Sequence, residues 1–550
     1  MDRRSFLKLA AVPAVPLRGS RVESPPRGGT LAILNARVLT LEPGKPEAEA
    51  VLVRDGRVAL VGTSDRVRAA AAGARVFDAR GRAVVPGFID SHVHLELACA
   101  AAEHQVACHA PPFTSLAQIG KALAAKAADT PAGRWVVGRS SYNLGDKVAE
   151  KRLATREELD AITEQHPLIL FSGLHIAMLN RRAFEELGLW EPASETSLRW
   201  RDGRPRVGTV VHRDLSGRPT GIATEVADLL YGAEIYSVEE IVQSLEAHAS
   251  RIFVAKGITS VASIATSGRD LRAVQKTQAS GKLPLRVRFY YRVPMTIGMR
   301  DVLATGLLPG AGDDRFRFGG IKIFVDGTGD DGLGHQMEDL KWTREELTET
   351  LFQAHAEGIQ ALLHVVTSGG LAMALSAVEE VQRRHPGPLR HRLEHASIVR
   401  SERDIRRLRA LGMRISITRS TRGEARLPFP PPFPALVREG LEPVAISDST
   451  GTIPEFSPLA GIASLVAPLE AGGVLSAGDT LSFEDALRTY TSWAAGSVFE
   501  EEDKGTIAQG KLGDFAVLSF DPRTRGAEEL FDLEVDATIF GGDVVFEKNG

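Results

Sequence analysis

Through the middle of the chain, short apolar runs bounded by glycine, proline or aspartate alternate with longer stretches whose apolar residues recur every three or four positions. The first pattern predicts buried strands and the second amphipathic helices. Eight runs read as strands: VVPGFIDSHVH, ITSVASI, RVRFYYRV, GGIKIFVDG, QALLHVV, HRLEHAS, RISITRS and EPVAISDS. Helical stretches such as SVEEIVQSLEAHASRIFVAKG and REELTETLFQAHAEG lie between several of them. This alternation predicts an α/β protein with a parallel sheet, and eight such units close a (β/α)8 TIM-like barrel. In that architecture the chemistry gathers at the C-terminal ends of the strands.

The two chain ends follow a different rule. Residues 30–83 break into short strands, LAILNARVLTLEPG, AVLVRDGRVALVG and ARVFDARGRAVV, and Asp55-Gly56 between two apolar runs signals a hairpin. DFAVLSFDP, VDATIFGG and DVVFEKNG near the C-terminus look alike. Both ends together predict one small β-sandwich, with residues 28–83 and 496–550 flanking a barrel over 84–495. Residues 97–256 are too long for one crossover and read as an inserted subdomain carrying its own strand, PLILFSG.

Composition narrows the function classes. Lysine and arginine number 66 against 70 aspartates and glutamates, a net charge of −4 that gives no reason to expect nucleic acid or an anionic membrane as partner. Cys99 and Cys108 are the only cysteines, which excludes a disulfide framework and a cysteine zinc site while allowing one bridge. The start, MDRRSFLKLAAVPAVPL, pairs Arg3 and Arg4 before a short, mildly apolar stretch. That pattern resembles a twin-arginine export signal over residues 1–27 and predicts a periplasmic protein, with no membrane anchor once the signal is removed.

Polar residues sit where buried strands should avoid them. His92 and His94 end the first strand, and alternation turns both imidazoles to one face, as a metal with two nitrogen ligands needs. His364 ends the fifth strand, His395 the sixth and Asp448 the eighth, so four strands converge on a metal site. Lys322 stands inside the fourth strand run, where an ammonium must be neutralised, paired or used; Asp326, on the same face, is the ordinary partner.

The set of motifs resembles the metal-dependent amidohydrolase superfamily, and within it the YtcJ-like branch, amidohydrolase family 3. The resemblance rests on VVPGFIDSHVHL, HPLILFSGLHIAMLNRRAF, GRPTGIATEVA, GIKIFVDG, HRLEHASIV, ISDS and GTIAQGKLGDFAVL. It implies two divalent metal ions, expected to be zinc, bridged by Lys322 after carboxylation by carbon dioxide. His92, His94 and Asp448 would hold the more buried ion and His364 and His395 the more exposed one. It implies hydrolysis of a non-peptide amide or related C–N bond in a small-molecule substrate by a bridging hydroxide, with Asp448 as proton shuttle. His175 matches a family histidine that binds substrate or stabilises the oxyanion.

Three stretches depart from the family pattern at the expected mouth: HVVTSGG after His364, SDSTGTIPE after the eighth strand, and the fourth-strand loop with Asp330 and Asp331. FPPPFP at 429–434 reads as a stiffened loop, with Phe429 and Phe433 as alternative pocket-lining residues. A mononuclear deaminase, an esterase or lactonase of the same superfamily, and an exported non-catalytic binding protein stay open as alternatives, and a homodimer is compatible with the sequence. Lys322, and Thr367 in place of a glutamate three residues after His364, favour the hydrolase over the deaminase.

Overall fold

The computed structural model describes residues 29–191, 210–224, 235–295, 297–327, 340–388, 390–418, 432–451, 456–467 and 480–548. The export-signal stretch, Asp330, Asp331 and Phe429 lie outside these residues.

All eight expected barrel strands form one parallel sheet: β1 (Phe88–Val93), β2 (Ile258–Ala265), β3 (Arg286–Arg292), β4 (Phe316–Phe324), β5 (Gln360–His364), β6 (Arg392–Glu394), β7 (Arg414–Thr418) and β8 (Val444–Ile446). Each pairs with its sequence neighbour, and β8 meets β1 through a parallel bridge between Val93 and Ser449. Two hydrogen bonds fasten that closure, Asp448 N to His92 O and His94 N to Ser449 O, both 3.0 Å. Register in β4 depends on Gly320, whose φ is +151° and where a Cβ would lie 2.2 Å from the Gln360 carbonyl oxygen on β5. Only glycine tolerates that backbone and that approach.

The helices form for local reasons and stay for packing. Ser237 and Thr343 each close a capping box, with Glu240 and Glu346 respectively, so Val238–Ile252 and Arg344–Ala356 start where the sequence provides side-chain acceptors. Ile241, Leu245 and Ala249 of one, and Leu347, Leu351 and Ala354 of the other, are buried in the barrel core. Each buried leucine or isoleucine contributes about 1.5–3 kcal/mol. Phe433, at the start of helix Phe433–Arg438, also packs in that core.

The chain ends build two sheets that share a separate core. Leu31, Val51 and Val53 of a four-stranded sheet face Val38, Val84, Val517 and Ile539 of a six-stranded one. Asp55 and Gly56 turn with φ of 52° and 76° between paired Arg54 and Arg57, the left-handed pair of a tight hairpin. The inserted region carries a six-stranded mixed sheet of its own, from Val106–Ala107 to Pro219–Thr224. Cys99 packs in the barrel core and Cys108 in the insertion, and both thiols are free. Among the described residues no helix is long and apolar enough to cross a membrane.

Candidate metal centre

The barrel brings the expected site residues to one end. His92 closes β1 and His94 caps the following helix, and their Nε2 atoms lie 3.4 and 3.6 Å from Asp448 Oδ1. Those three residues offer ligand atoms all within 4.8 Å of one another, a grouping that could hold a metal ion. Ring centroids join the remaining histidines: His92 to His395 at 4.7 Å, His395 to His364 at 4.9 Å, and His364 to His175 at 5.9 Å. His175 reaches the cluster from the turn between the insertion strands Leu168–Ser172 and Ile176–Leu179 rather than from a helix start.

Two of these residues hold unusual backbone. His395 and Asp448 have φ of 59° and 52°, a left-handed conformation that most side chains avoid. Such positions persist where surrounding structure enforces them, and they collect at functional sites.

Lys322 is fully buried, and its Nζ has no hydrogen-bond partner. Asp326 does not pair with it. The Asp326 carboxylate instead accepts from the Val366 and Thr367 amides and the Thr367 hydroxyl, clamping the start of the helix after β5. That clamp needs Gly370, where a Cβ would lie 2.0 Å from Asp326 Oδ2. Burial pulls the Lys322 amine down to about 8, against the upward pull of Glu394 and Asp448.

Two other polar atoms here are also unpaired: His364 Nδ1 and Asp448 Oδ1 are buried without a hydrogen-bond partner. Native interiors rarely leave such atoms unsatisfied, and a bound ion accounts for a cluster of them. Burial, then the Lys322 charge, lowers His92 to about 4, and burial holds His94, His364 and His395 well below the usual histidine range. Four neutral imidazoles are the form that ligates metal. Burial first pushes the Asp448 carboxyl up to about 7.

Glu394 and Arg392 complete the centre and were not singled out by the sequence reading. Glu394 accepts from His92 Nδ1, which turns the Nε2 lone pair toward Asp448. The same carboxylate accepts from Ser416 Oγ at 2.8 Å and from Arg392 Nε, while Arg392 also donates to Ser91 O at 2.7 Å and Ser497 Oγ at 3.0 Å. Burial alone would raise the Glu394 carboxyl, but Arg392, His92 and Lys322 override it and keep it ionised. The signal was present in HRLEH: two charges inside a short buried strand, as improbable there as Lys322 in β4.

A profile of the amidohydrolase family matches residues 75–546. The chain belongs to the amidohydrolase family. As an amidohydrolase it is a hydrolase of carbon–nitrogen bonds other than peptide bonds. It is 28% identical to an N-substituted formamide deformylase of Arthrobacter pascens, over 94% of this chain and 99% of that protein. It is 25% identical to the putative amidohydrolase YtcJ of Bacillus subtilis, over 92% and 98% of the two chains. Among solved structures, an uncharacterized metal-dependent hydrolase from Pyrococcus horikoshii shares the fold with a TM-score of 0.67 at 22% identity, over 91% of this amidohydrolase and 99% of that chain.

Proposed function

We propose that this amidohydrolase uses two divalent ions, with Lys322 carboxylated between them, to hydrolyse a small N-substituted amide. The observation that carries the reading is the orphaned, fully buried Lys322 Nζ beside four neutral imidazoles and Asp448. A carbamate on Lys322 would replace a costly buried ammonium by an anion that the ions neutralise. His92, His94 and Asp448 would hold one ion, His364 and His395 the other. Bound there, divalent zinc or a similar metal supplies Lewis acidity and water acidic enough to ionise near neutral pH.

The chain's own groups do the rest. Glu394 fixes the His92 tautomer, and Arg392 keeps Glu394 charged and in place. Asp448 is suited to carry a proton from attacking water to the leaving nitrogen, because a carboxylate beside the ligand histidines can accept a proton and return it. His175, next to His364, is placed to orient the substrate carbonyl. The name of the Arthrobacter relative supports a small acyl group and a larger amine as the substrate class. We further propose export by the twin-arginine route, from the Arg3-Arg4 pair.

Metal content of protein purified without chelators tests the centre. About two equivalents per chain are expected, falling together with activity in Lys322→Ala. One equivalent, or a Lys322→Ala variant with both metals and full activity, would remove the bridging lysine from the account.

A further inference from the structure

A cavity with about 40 Å³ of room inside and a mouth open to solvent lies between the insertion and the barrel. None of the six expected metal-site residues lines it. Its insertion wall is Val137, Arg139 and Phe171; its barrel wall includes Glu96, Ala100 and Asp270.

Arg139 makes this cavity chemically specific. The residue sits mid-sheet on Val136–Ser140, 1% exposed, with its guanidinium carbon 4.3 Å above the Phe171 ring. Nε donates to Gln105 Oε1 at 2.6 Å, but Nη1 has no partner, and among the described residues no carboxylate lies within 4.0 Å of the guanidinium. A buried cation without a counter-charge is costly to hold. The acids that line the cavity are already committed. Glu96 accepts from the Thr266 amide at 3.2 Å and the Ser263 hydroxyl at 3.3 Å, and Asp270 accepts from the Ser267 hydroxyl at 2.7 Å.

We propose that this cavity binds the carboxylate of a small aliphatic monoacid, with the Arg139 guanidinium as its anchor. A planar guanidinium fork matches a carboxylate in shape and charge. Leu97, Ala100 and Ile241 give the acid's hydrocarbon tail an apolar wall, against which a second carboxylate would lose its hydration, so a diacid is disfavoured. The site also touches the catalytic face: a Cβ on Gly451, three residues after Asp448, would lie 3.3 Å from Arg139 Cδ. The loop that carries Asp448 therefore packs on the stem of the proposed anchor. The inference is independent of the metal count and of the amide substrate.

Calorimetric titration of the full-length protein with butyrate, succinate and butylamine tests it. The expected result is saturable butyrate binding at one site, at least tenfold weaker binding of succinate, and no binding of butylamine. Arg139→Gln should abolish butyrate binding. Ala100→Phe keeps every charge, fills the apolar wall and should weaken butyrate at least tenfold; it decides the matter should Arg139→Gln fail to fold. Absence of saturable butyrate binding to the unaltered protein would overturn the proposal. So would butyrate affinity unchanged in Ala100→Phe, which would put the anion elsewhere, the metal centre included.

Discussion

Two buried cations on adjacent barrel strands have opposite surroundings. Arg286, at the start of β3, donates Nε and Nη2 to the two oxygens of Asp514 at 2.6 and 2.8 Å, and Nη1 to Asp314 O at 3.0 Å. Asp514 also accepts from the Gly541 amide at 2.8 Å, so the pair ties the barrel to the terminal sheets and each guanidinium nitrogen of Arg286 has an acceptor. Lys322, near the end of β4, has the Phe324 ring 5.0 Å away and feels the charges of Glu394 and Asp448, but no hydrogen bond reaches Nζ. One end of the barrel satisfies its buried charge within the fold. The other leaves donors and acceptors open, which lowers stability and creates a place for an ion.

The comparison predicts changes of opposite sign. Asp514→Ala strands the Arg286 guanidinium and is expected to destabilise the protein by about 3–5 kcal/mol in urea titration. Lys322→Met removes an ammonium that has no hydrogen bond and is expected to raise the stability of metal-free protein by about 1–2 kcal/mol, and to abolish the activity of protein supplied with metal. Equal losses in both variants would erase the distinction drawn here between a structural and a functional cation.

How much of this was legible in the sequence follows the same division. All eight barrel strands were readable, because each is a continuous buried run bracketed by turn residues and pairs with its neighbour in order. The strand-end histidines were readable because buried strands seldom carry polar residues. The insertion's sheet was less so: Leu168–Ser172 and Ile176–Leu179 show as apolar runs, while Val210–Arg213 and Pro219–Thr224 gain strand structure from a sheet assembled across distant segments. Which terminal strand joins which sheet of the sandwich was hidden as well, since Val84 pairs with Val517, a contact set by tertiary packing. Glu394 and Arg392 were not legible as site residues because two opposite charges in one short strand read equally well as an internal ion pair.

Glu394 gives the next, smaller effect. It serves both divisions at once, holding a buried arginine and aiming a metal-side histidine. Glu394→Gln keeps the size but weakens the acceptor on His92, and metal affinity is expected to fall about 10–100-fold in chelator competition. Serine at 416 adds only one hydroxyl to the same carboxylate, so Ser416→Ala should cost less than Glu394→Gln. The reverse order would show that Glu394 is positioned by Ser416 rather than by Arg392.

The smallest effect concerns a histidine away from the metal face. His391 precedes β6, is 2% exposed, and accepts the Ala361 amide on Nδ1 at 3.0 Å. Burial, then the nearby His355, lowers it to about 3, from an ordinary value of 6.5. Between those values the unfolded chain binds a proton that the folded chain refuses, so stability falls as pH drops, by about 1.4 kcal/mol per unit from this group. Above pH 6.5 neither state is protonated at His391 and its contribution is flat. His391→Gln should remove about one proton's worth of slope between pH 5 and 4. Because His391 lies outside the metal cluster, that change should be the same with and without bound metal, whereas the slopes owed to His92 and His94 should not. A difference that depends on metal would place His391 in energetic contact with the centre and blur the line between the two ends of the barrel.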